Sequence, residues 1–365
     1  MLLWLRRTAY FVKAAFIKRN RKSTAVRFLN QKIRMESIEQ PQQKRPSSMT
    51  TTNLMASIRI VSMNVSNCQP SAEAPRDWTD SKQIAALQQE LLHSSKNSPD
   101  ILALQECPTE DWAKDIFANT GYHCMGCQPS HMGYVALLFR NALSHSPSSP
   151  SAESNDTNGG ISVERVSLPP DMPVVLVRVK ETPKDSSASQ RTIYVASCHL
   201  EPFKGGADER YYQIQTILQF VQANSAPSSS SWPVIIAGDT NMRVAEDAVM
   251  EQGFHLLDAW KLAGAYFPDK YTWNTRDNRR KNGKGSFNRY YGDDTREYVA
   301  RYDRIYVHQG NGDKAFLLRV PHFQLIANKP ILPSKTHFLS DHFGISAKLR
   351  FNWGPSGSSR KQCRK

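Results

Sequence analysis

The stretch Pro233-Val234-Ile235-Ile236-Ala237-Gly238-Asp239-Thr240-Asn241-Met242-Arg243 decides how this chain is read. Its apolar, partly β-branched half has the pattern of a buried strand. Gly238 predicts a sharp turn of the backbone at the strand end. Asp239, Asn241 and Arg243 follow on that turn. A carboxylate, an amide and a guanidinium there offer a base or metal ligand, a hydrogen-bonding positioner and a phosphate clamp. An ordinary Asp-rich turn uses the same letters, so the other strand ends decide between the two.

Those ends repeat the placement. Strand-like runs at 58–63, 101–105 and 191–198 stop at Asn64, Glu106 and His199, while Asp303 and Ser340-Asp341-His342 stand directly before runs at 303–307 and about 343–350. Antiparallel neighbours bring a strand start beside a strand end, so six polar residues are predicted to meet on one rim. Further strands are expected near 121–127, 133–140, 161–166, 173–180 and 315–326. Helices are expected near 80–95, 109–118 and 206–224, and shortly after Arg243. About ten strands interleaved with helices predict one α/β or α+β domain of two packed sheets, over residues 57–351. Residues 144–160 read as a low-complexity surface loop and 183–190 as a Ser-rich turn.

The chain has 365 residues and a net charge of +14. Residues 1–35 hold ten basic residues and no acid, and residues 360–365 hold four more, which leaves 33 basic against 33 acidic between them. The body is neutral, so its nucleic-acid affinity has to come from local patches. Residues 1–35 have the composition of a mitochondrial transit segment, a basic arm or a disordered leader. Residues 36–56 read as a linker and 352–365 as a basic tail. Arg6, Arg7 and Lys13 interrupt the apolar run too early for a membrane span. Six scattered cysteines without regular spacing suit a reducing compartment, and the lone Cys124-x-x-Cys127 lacks the second pair a zinc site needs.

Carboxylates with an Asn suit a hard cation such as Mg²⁺, and two His residues can stabilise phosphoryl charge or move protons. No glycine-rich phosphate loop and no nucleophile elbow is present, which argues against triphosphate and acyl chemistry. Metal-assisted attack of water on a phosphodiester fits best. Asn64, Gln105-Glu106, His199-Leu200-Glu201, Gly238-Asp239-Thr240-Asn241, Asp303-Arg304 and Ser340-Asp341-His342 stand in the order of the endonuclease/exonuclease/phosphatase (DNase I-like) family, which the chain resembles over about 57–351. Thr240, Arg243, Tyr271-Thr272-Trp273-Asn274-Thr275 and Arg301-Tyr302-Asp303-Arg304-Ile305 resemble the branch that cleaves 5′-phosphotyrosyl bonds to DNA. Met63 and Asn274 depart from that branch, and the insert near 276–300 looks longer.

The resemblance implies a four-layered α/β sandwich, two packed and mostly antiparallel sheets flanked by helices. It implies Mg²⁺, with Mn²⁺ as a substitute, ligated by Glu106 with Asn64 beside it, directly or through water. Asp341 either joins the metal or braces its loop. Asp239 would activate water, Asn241 would hold that water or a phosphate oxygen, His342 would donate to the phosphoryl oxygen, and Asp303 would orient His342. His199 either binds phosphate or is a core histidine. Arg243, Trp273, Arg276 and Arg304 would contact DNA, preferably a single-stranded end carrying a topoisomerase-derived peptide. A monomer without membrane association is expected, in the nucleus by resemblance, with the cytoplasm or mitochondrion as alternatives. The rival functions are an RNA 3′-exonuclease of the deadenylase type, an abasic-site endonuclease, and a non-catalytic nucleic-acid-binding scaffold.

Overall fold

Near-continuous apolar runs along the central strands give each sheet two greasy faces, and covering all four faces sets the architecture. The computed structural model describes residues 56–353, apart from 69, 71–73, 75, 94–97, 141–160, 183–189, 226–232, 276–297, 310–315 and 332–336. The leader 1–35, nearly all of the linker 36–56, the loop at 144–160, the body of the Ser-rich turn, Arg276 with most of the basic insert, and the tail past Trp353 lie outside the described residues.

The strands are β1 (Ser57–Asn64), β2 (Ile101–Cys107), β3 (Tyr122–Ser130), β4 (Gly133–Arg140), β5 (Ile161–Val166), β6 (Val174–Glu181) and β7 (Arg191–His199). They continue as β8 (Val234–Asp239), β9 (Leu256–Asp258), β10 (Trp273–Asn274), β11 (Val299–Ala300), β12 (Asp303–His308), β13 (Phe316–Ile326) and β14 (Gly344–Trp353). The helices are α1 (Asp80–His93), α2 (Trp112–Phe117), α3 (Ala207–Ala223), α4 (Val244–Gly253) and α5 (Ala259–Leu262). One six-stranded sheet runs β13-β14-β1-β2-β4-β3, the other β5-β6-β7-β8-β12-β9, and β10 and β11 form a separate ribbon. Among the described strands, β1 with β2 and β7 with β8 pair parallel, and the other pairs are antiparallel. The predicted count of about ten strands was low because short pieces such as β9, β10 and β11 have too few residues to show a period.

Ile60, Ala103, Leu137, Val177, Val195, Ile235, Ile305 and Ile345 form the core between the sheets. The first sheet's outer face (Met63, Leu102, Leu104, Leu138) packs on Leu87 and Leu91 of α1 and Phe117 of α2. The second sheet's outer face (Tyr194, Ala196, Ile236, Tyr306) packs on Ile214 and Ile217 of α3 and Met250 of α4. The order is therefore helix, sheet, sheet, helix. Beneath the rim the core turns polar: Gln105 Nε2 of β2 donates across to Ser197 Oγ of β7 at 3.2 Å.

Gly238 does not make the predicted turn. It is the fifth residue of β8, paired in register with Cys198 of β7 and Arg304 of β12. Its glycine identity answers a close approach instead, because a Cβ there would stand 1.9 Å from the Cys198 carbonyl oxygen. Backbone on backbone cannot yield, so Gly238→Ala should lower stability by about 3 kcal/mol, the upper end of overpacking costs. Urea unfolding measures it, and a loss under about 1 kcal/mol would show that β7 and β8 can separate locally.

Candidate active site

The strand register brings the predicted residues abreast. On the second sheet Asp239 is the direct partner of His199 on one side and of Asp303 on the other. All three share the parity of Val195, Ile235 and Ile305, so all three face the inter-sheet cleft. Across the cleft, Asn64 ends β1 opposite Gln105. His342 arrives from the segment before β14 and bridges to Trp273.

Glu106 reaches this cleft against the alternation of its strand. Ala103 faces the inter-sheet core while Leu102 and Leu104 face the helices, so a regular strand would turn Glu106 towards the helices too. The pairing of β2 with β4 slips between Leu104 and Cys107, and Glu106 adopts φ +53°, a left-handed conformation costly for a side chain with Cβ. Asn241 is left-handed as well, at φ +50°. Strain of this kind gathers at functional sites, where the surrounding structure maintains it.

Asn64 joins the carboxylates. Its Nδ2 donates to Glu106 Oε1 at 2.9 Å and to Asp239 Oδ2 at 3.1 Å, while its Oδ1 accepts the Ser66 backbone N–H at 2.9 Å. The sequence predicts Asn64 beside the metal, directly or through water; here its amide hydrogens, not its oxygen, face the carboxylates. Asn241 donates Nδ2 to Leu200 O at 3.1 Å, and its backbone N–H donates to Asp239 Oδ1 at 2.9 Å. His342 Nδ1 lies 2.8 Å from Asp303 Oδ2, and its Nε2 lies 3.6 Å from Asp239 Oδ2. His199 Nε2 stands 3.7 Å from Asp239 Oδ2 and 3.8 Å from Glu106 Oε1. His199 Nδ1 meets Ser130 Oγ at 3.3 Å, and that hydroxyl already donates to Gly133 O. The single hydroxyl proton is thus spent, so His199 donates from Nδ1 and presents Nε2 to the cleft.

Electrostatics divides the roles. Burial disfavours a charged His342, but Asp303 and then Asp239 outweigh it and push the imidazole up to about 10. Burial equally opposes the Asp239 carboxylate, yet the His342 charge, with the Asn64 amide donating to it, holds it below its usual range. Burial raises Asp303, with the His342 charge opposing that rise, and lowers His199, which stays neutral. Glu106 is pushed up to about 8, by burial first and by the Asp341 carboxylate second. Asp341 itself is half-buried, its Oδ1 3.3 Å from a Ser340 hydroxyl whose proton goes to Asn64 O at 2.7 Å.

These charges say where a cation would fit. Ligand atoms of Asp239, Asp303 and His342 lie within 4.8 Å of one another. An imidazolium cannot ligate, however, and His342 is held as one. Among the described residues, Glu106 is a buried acid whose charge has only a neutral amide at hydrogen-bond distance, with a second carboxylate raising its proton affinity. An oxygen-only pair, Glu106 and Asp341, suits a hard divalent cation.

A model of the Endonuclease/Exonuclease/phosphatase family matches residues 61–342. The chain belongs to that family. Tyrosyl-DNA phosphodiesterase 2 of Danio rerio is 31% identical over 160 residues, 43% of this chain and 38% of that protein. The Homo sapiens protein of the same name is 35% identical over 95 residues, 25% of each chain. The aligned segments therefore span well under half of these relatives. The structure of D. rerio TDP2 complexed with single strand DNA product superposes with a TM-score of 0.54 over 81% of this chain and 99% of that one. Its 21% identity shows the shared fold. The family is metal-dependent, in keeping with the acidic cleft.

The DNA contacts read from sequence fare unevenly. Arg304 is wrong as a DNA contact: it has opposite parity to Asp303, is buried, and pairs with Asp247 Oδ1 at 2.7 Å while donating to Thr240 Oγ1 at 2.9 Å. Arg243 is half-buried beside the cleft, where it donates to the Asn241 and Pro202 carbonyls and lies over the Tyr302 ring. Trp273 presents its ring to His342 edge-on, 4.7 Å between centroids. Sequence reasoning missed the supports. Thr272 Oγ1 accepts the backbone N–H groups of Tyr302 and Asp303, and Ser340 Oγ donates to Asn64 O at 2.7 Å. Ser130 and Asp247 carried no signal, since Ser130 lies past the strand expected at 121–127 and Asp247 lies within α4.

Two outcomes follow. Asp303→Asn should drop the His342 pKa by about 1–3 units, read by NMR titration of the imidazole. Because the folded value lies above the unfolded one, the pair's stabilisation is complete below about pH 6.5 and fades as pH rises through about 10 in the wild type. Arg304→Ala empties a fully buried side-chain site and leaves the half-buried Asp247 to the Arg301 guanidinium, and should cost about 3–5 kcal/mol of stability in urea unfolding.

Proposed function

We propose that this chain is a Mg²⁺-dependent phosphodiesterase that hydrolyses the bond between a tyrosine and a DNA 5′-phosphate, removing trapped topoisomerase adducts during DNA repair in the nucleus. The observation that carries the reading is the pairing of opposite charges at one rim: an ionised Asp239 beside an imidazolium His342, with the uncompensated Glu106 acid across the cleft. The tyrosyl-DNA substrate rests on the relatives' names and on Thr240, Arg243 and Trp273.

Glu106 and Asp341 would hold Mg²⁺, which supplies Lewis-acid stabilisation of phosphoryl charge. Asp239, kept ionised by His342, orients the attacking water and takes its proton. Asn241 positions the same water through Oδ1, since its Nδ2 is engaged by Leu200 O. His342 donates from Nε2 to a non-bridging oxygen as charge grows there, with Nδ1 fixed on Asp303. His199 offers a neutral Nε2 to the same space. Thr240 keeps the turn closed by donating to Tyr302 O at 2.7 Å, so Asn241 stays over the rim. Trp273 beside His342 gives an unstacked terminal base a flat partner, which favours a single-stranded end.

The test uses the full chain with a 5′-phosphotyrosyl oligonucleotide, poly(A) and an abasic duplex, each with Mg²⁺ or EDTA. Release of tyrosine should need the metal, and should fall by about 10²–10⁴-fold in Asp239→Asn and about 10²–10³-fold in His342→Ala. Cleavage of poly(A) or the abasic duplex alone would overturn the substrate, and no cleavage at all would favour a binding scaffold. Cation binding to Glu106 must displace a proton held up to about pH 8. Mg²⁺ affinity should therefore weaken about tenfold per unit as pH falls below that point, with proton release in calorimetry, and Glu106→Gln should abolish both.

A further inference from the structure

Cys124 and Cys127 lie on β3, the outermost strand of its sheet. Residues three apart on a regular strand point to opposite faces. A bulge changes that here. Cys124 pairs with Leu138, Gly126 with Leu137 and Cys127 with Ala136, so one extra residue is inserted between them. Met125 turns into the inter-sheet core, and both cysteines pack on the other face with Leu138 and Ala136. Their sulfurs come within 3.8 Å, near enough for side-chain rotation to reach the about 2 Å of a disulfide.

Both side chains are half-buried, open to small oxidants and shielded from large ones. The two thiols are unequal. Hydrogen bonding with Cys127 holds Cys124 below the ordinary thiol range, and the Arg165 and Lys114 charges add to this; the same bond and burial push Cys127 up. The Arg165 guanidinium lies against Gly126 and donates to Cys127 O at 3.1 Å. Cys68 and Cys107 belong to the same cluster, yet no three thiols among the described residues stand within ligand range of one another. A closed zinc cage is therefore not built here.

We propose that Cys124 and Cys127 form a redox-active dithiol, closed to an intramolecular disulfide by hydroperoxides and reopened by thiol reductants. The Cys124 thiolate attacks the O–O bond of hydrogen peroxide, giving a sulfenic acid and hydroxide, which a proton converts to water. The Cys127 sulfur then attacks that sulfur, loses its own proton, and the S–O bond breaks with release of a second water. Two electrons leave the dithiol and reduce one peroxide. Two molecules of a monothiol reverse the closure and become its disulfide. β3 runs on from this pair to Ser130, whose hydroxyl holds His199, so the bulge and the catalytic rim share one strand.

The experiment treats full-length protein carrying Cys363→Ser with stoichiometric hydrogen peroxide, then alkylates it and locates the products by mass spectrometry. A Cys124–Cys127 cross-link, lighter by two hydrogens and lost on treatment with dithiothreitol, is expected. Cys124 should alkylate at least about tenfold faster than Cys127 in the reduced protein. Cys127→Ser should stop at a sulfenic acid on Cys124 that dimedone captures. Two alkylated thiols after peroxide, in a protein whose circular dichroism is unchanged, would overturn the proposal. So would oxidation of Cys68, Cys107 or Cys198 ahead of this pair.

Discussion

One imidazolium holds the rim together. Asp239 and Asp303 are neighbours in register on adjacent strands, both buried and both pointing into one cleft. Two carboxylates in that setting repel, and burial alone would protonate one of them. His342 stands between them, 2.8 Å from one and 3.6 Å from the other, and its charge answers both. A group raised to about 10 is a proton donor fixed in place, and it leaves Asp239 ionised for water. The acid and the base of the site are thus produced by a single contact.

That contact needs a rigid frame, and the frame is a second set of charges, buried arginines on half-buried carboxylates, on the far side of the second sheet. Glu246 and Asp247 open α4 and each takes a buried arginine. Arg210 of α3 grips both oxygens of Glu246 and donates to the Glu201 and Phe203 carbonyls, which follow His199. Arg304 grips Asp247 and holds Thr240, which follows Asp239. Removing either carboxylate leaves a buried guanidinium without its counter-charge, so the loops that carry the site have little freedom to drift. The strained backbone of Asn241 sits between these anchors.

Much of the site was legible in the chain because strand ends are local. An apolar run followed by a polar residue names the end of a strand, and Asn64, Glu106, His199 and Asp239 all sit at such ends in the fold. Antiparallel pairing of β8 with β12 then accounts for Asp303, a strand start beside a strand end. Alternation also held a signal that went unread: Arg304 is one residue from Asp303, with Ile305 and Val307 on the face of Asp303, and so had to point away from the cleft. Cys124 and Cys127 show the opposite case, since their spacing argues for two faces and only the bulge brings them to one.

By itself, then, the sequence determined the alternation of strands and helices, the apolar faces that make two sheets stack between helices, and the polar residue types at the rim. These depend on side-chain character and a period of two or 3.6 along the chain. Only the tertiary structure decided that Gly238 is a point of close approach, that Glu106 turns into the cleft, that Asn64 offers hydrogens in place of oxygen, and that His342 is charged. Each of those depends on which strands lie side by side, where their register slips and how much water remains. Such properties belong to pairs of residues tens to hundreds of positions apart, and no local pattern encodes them.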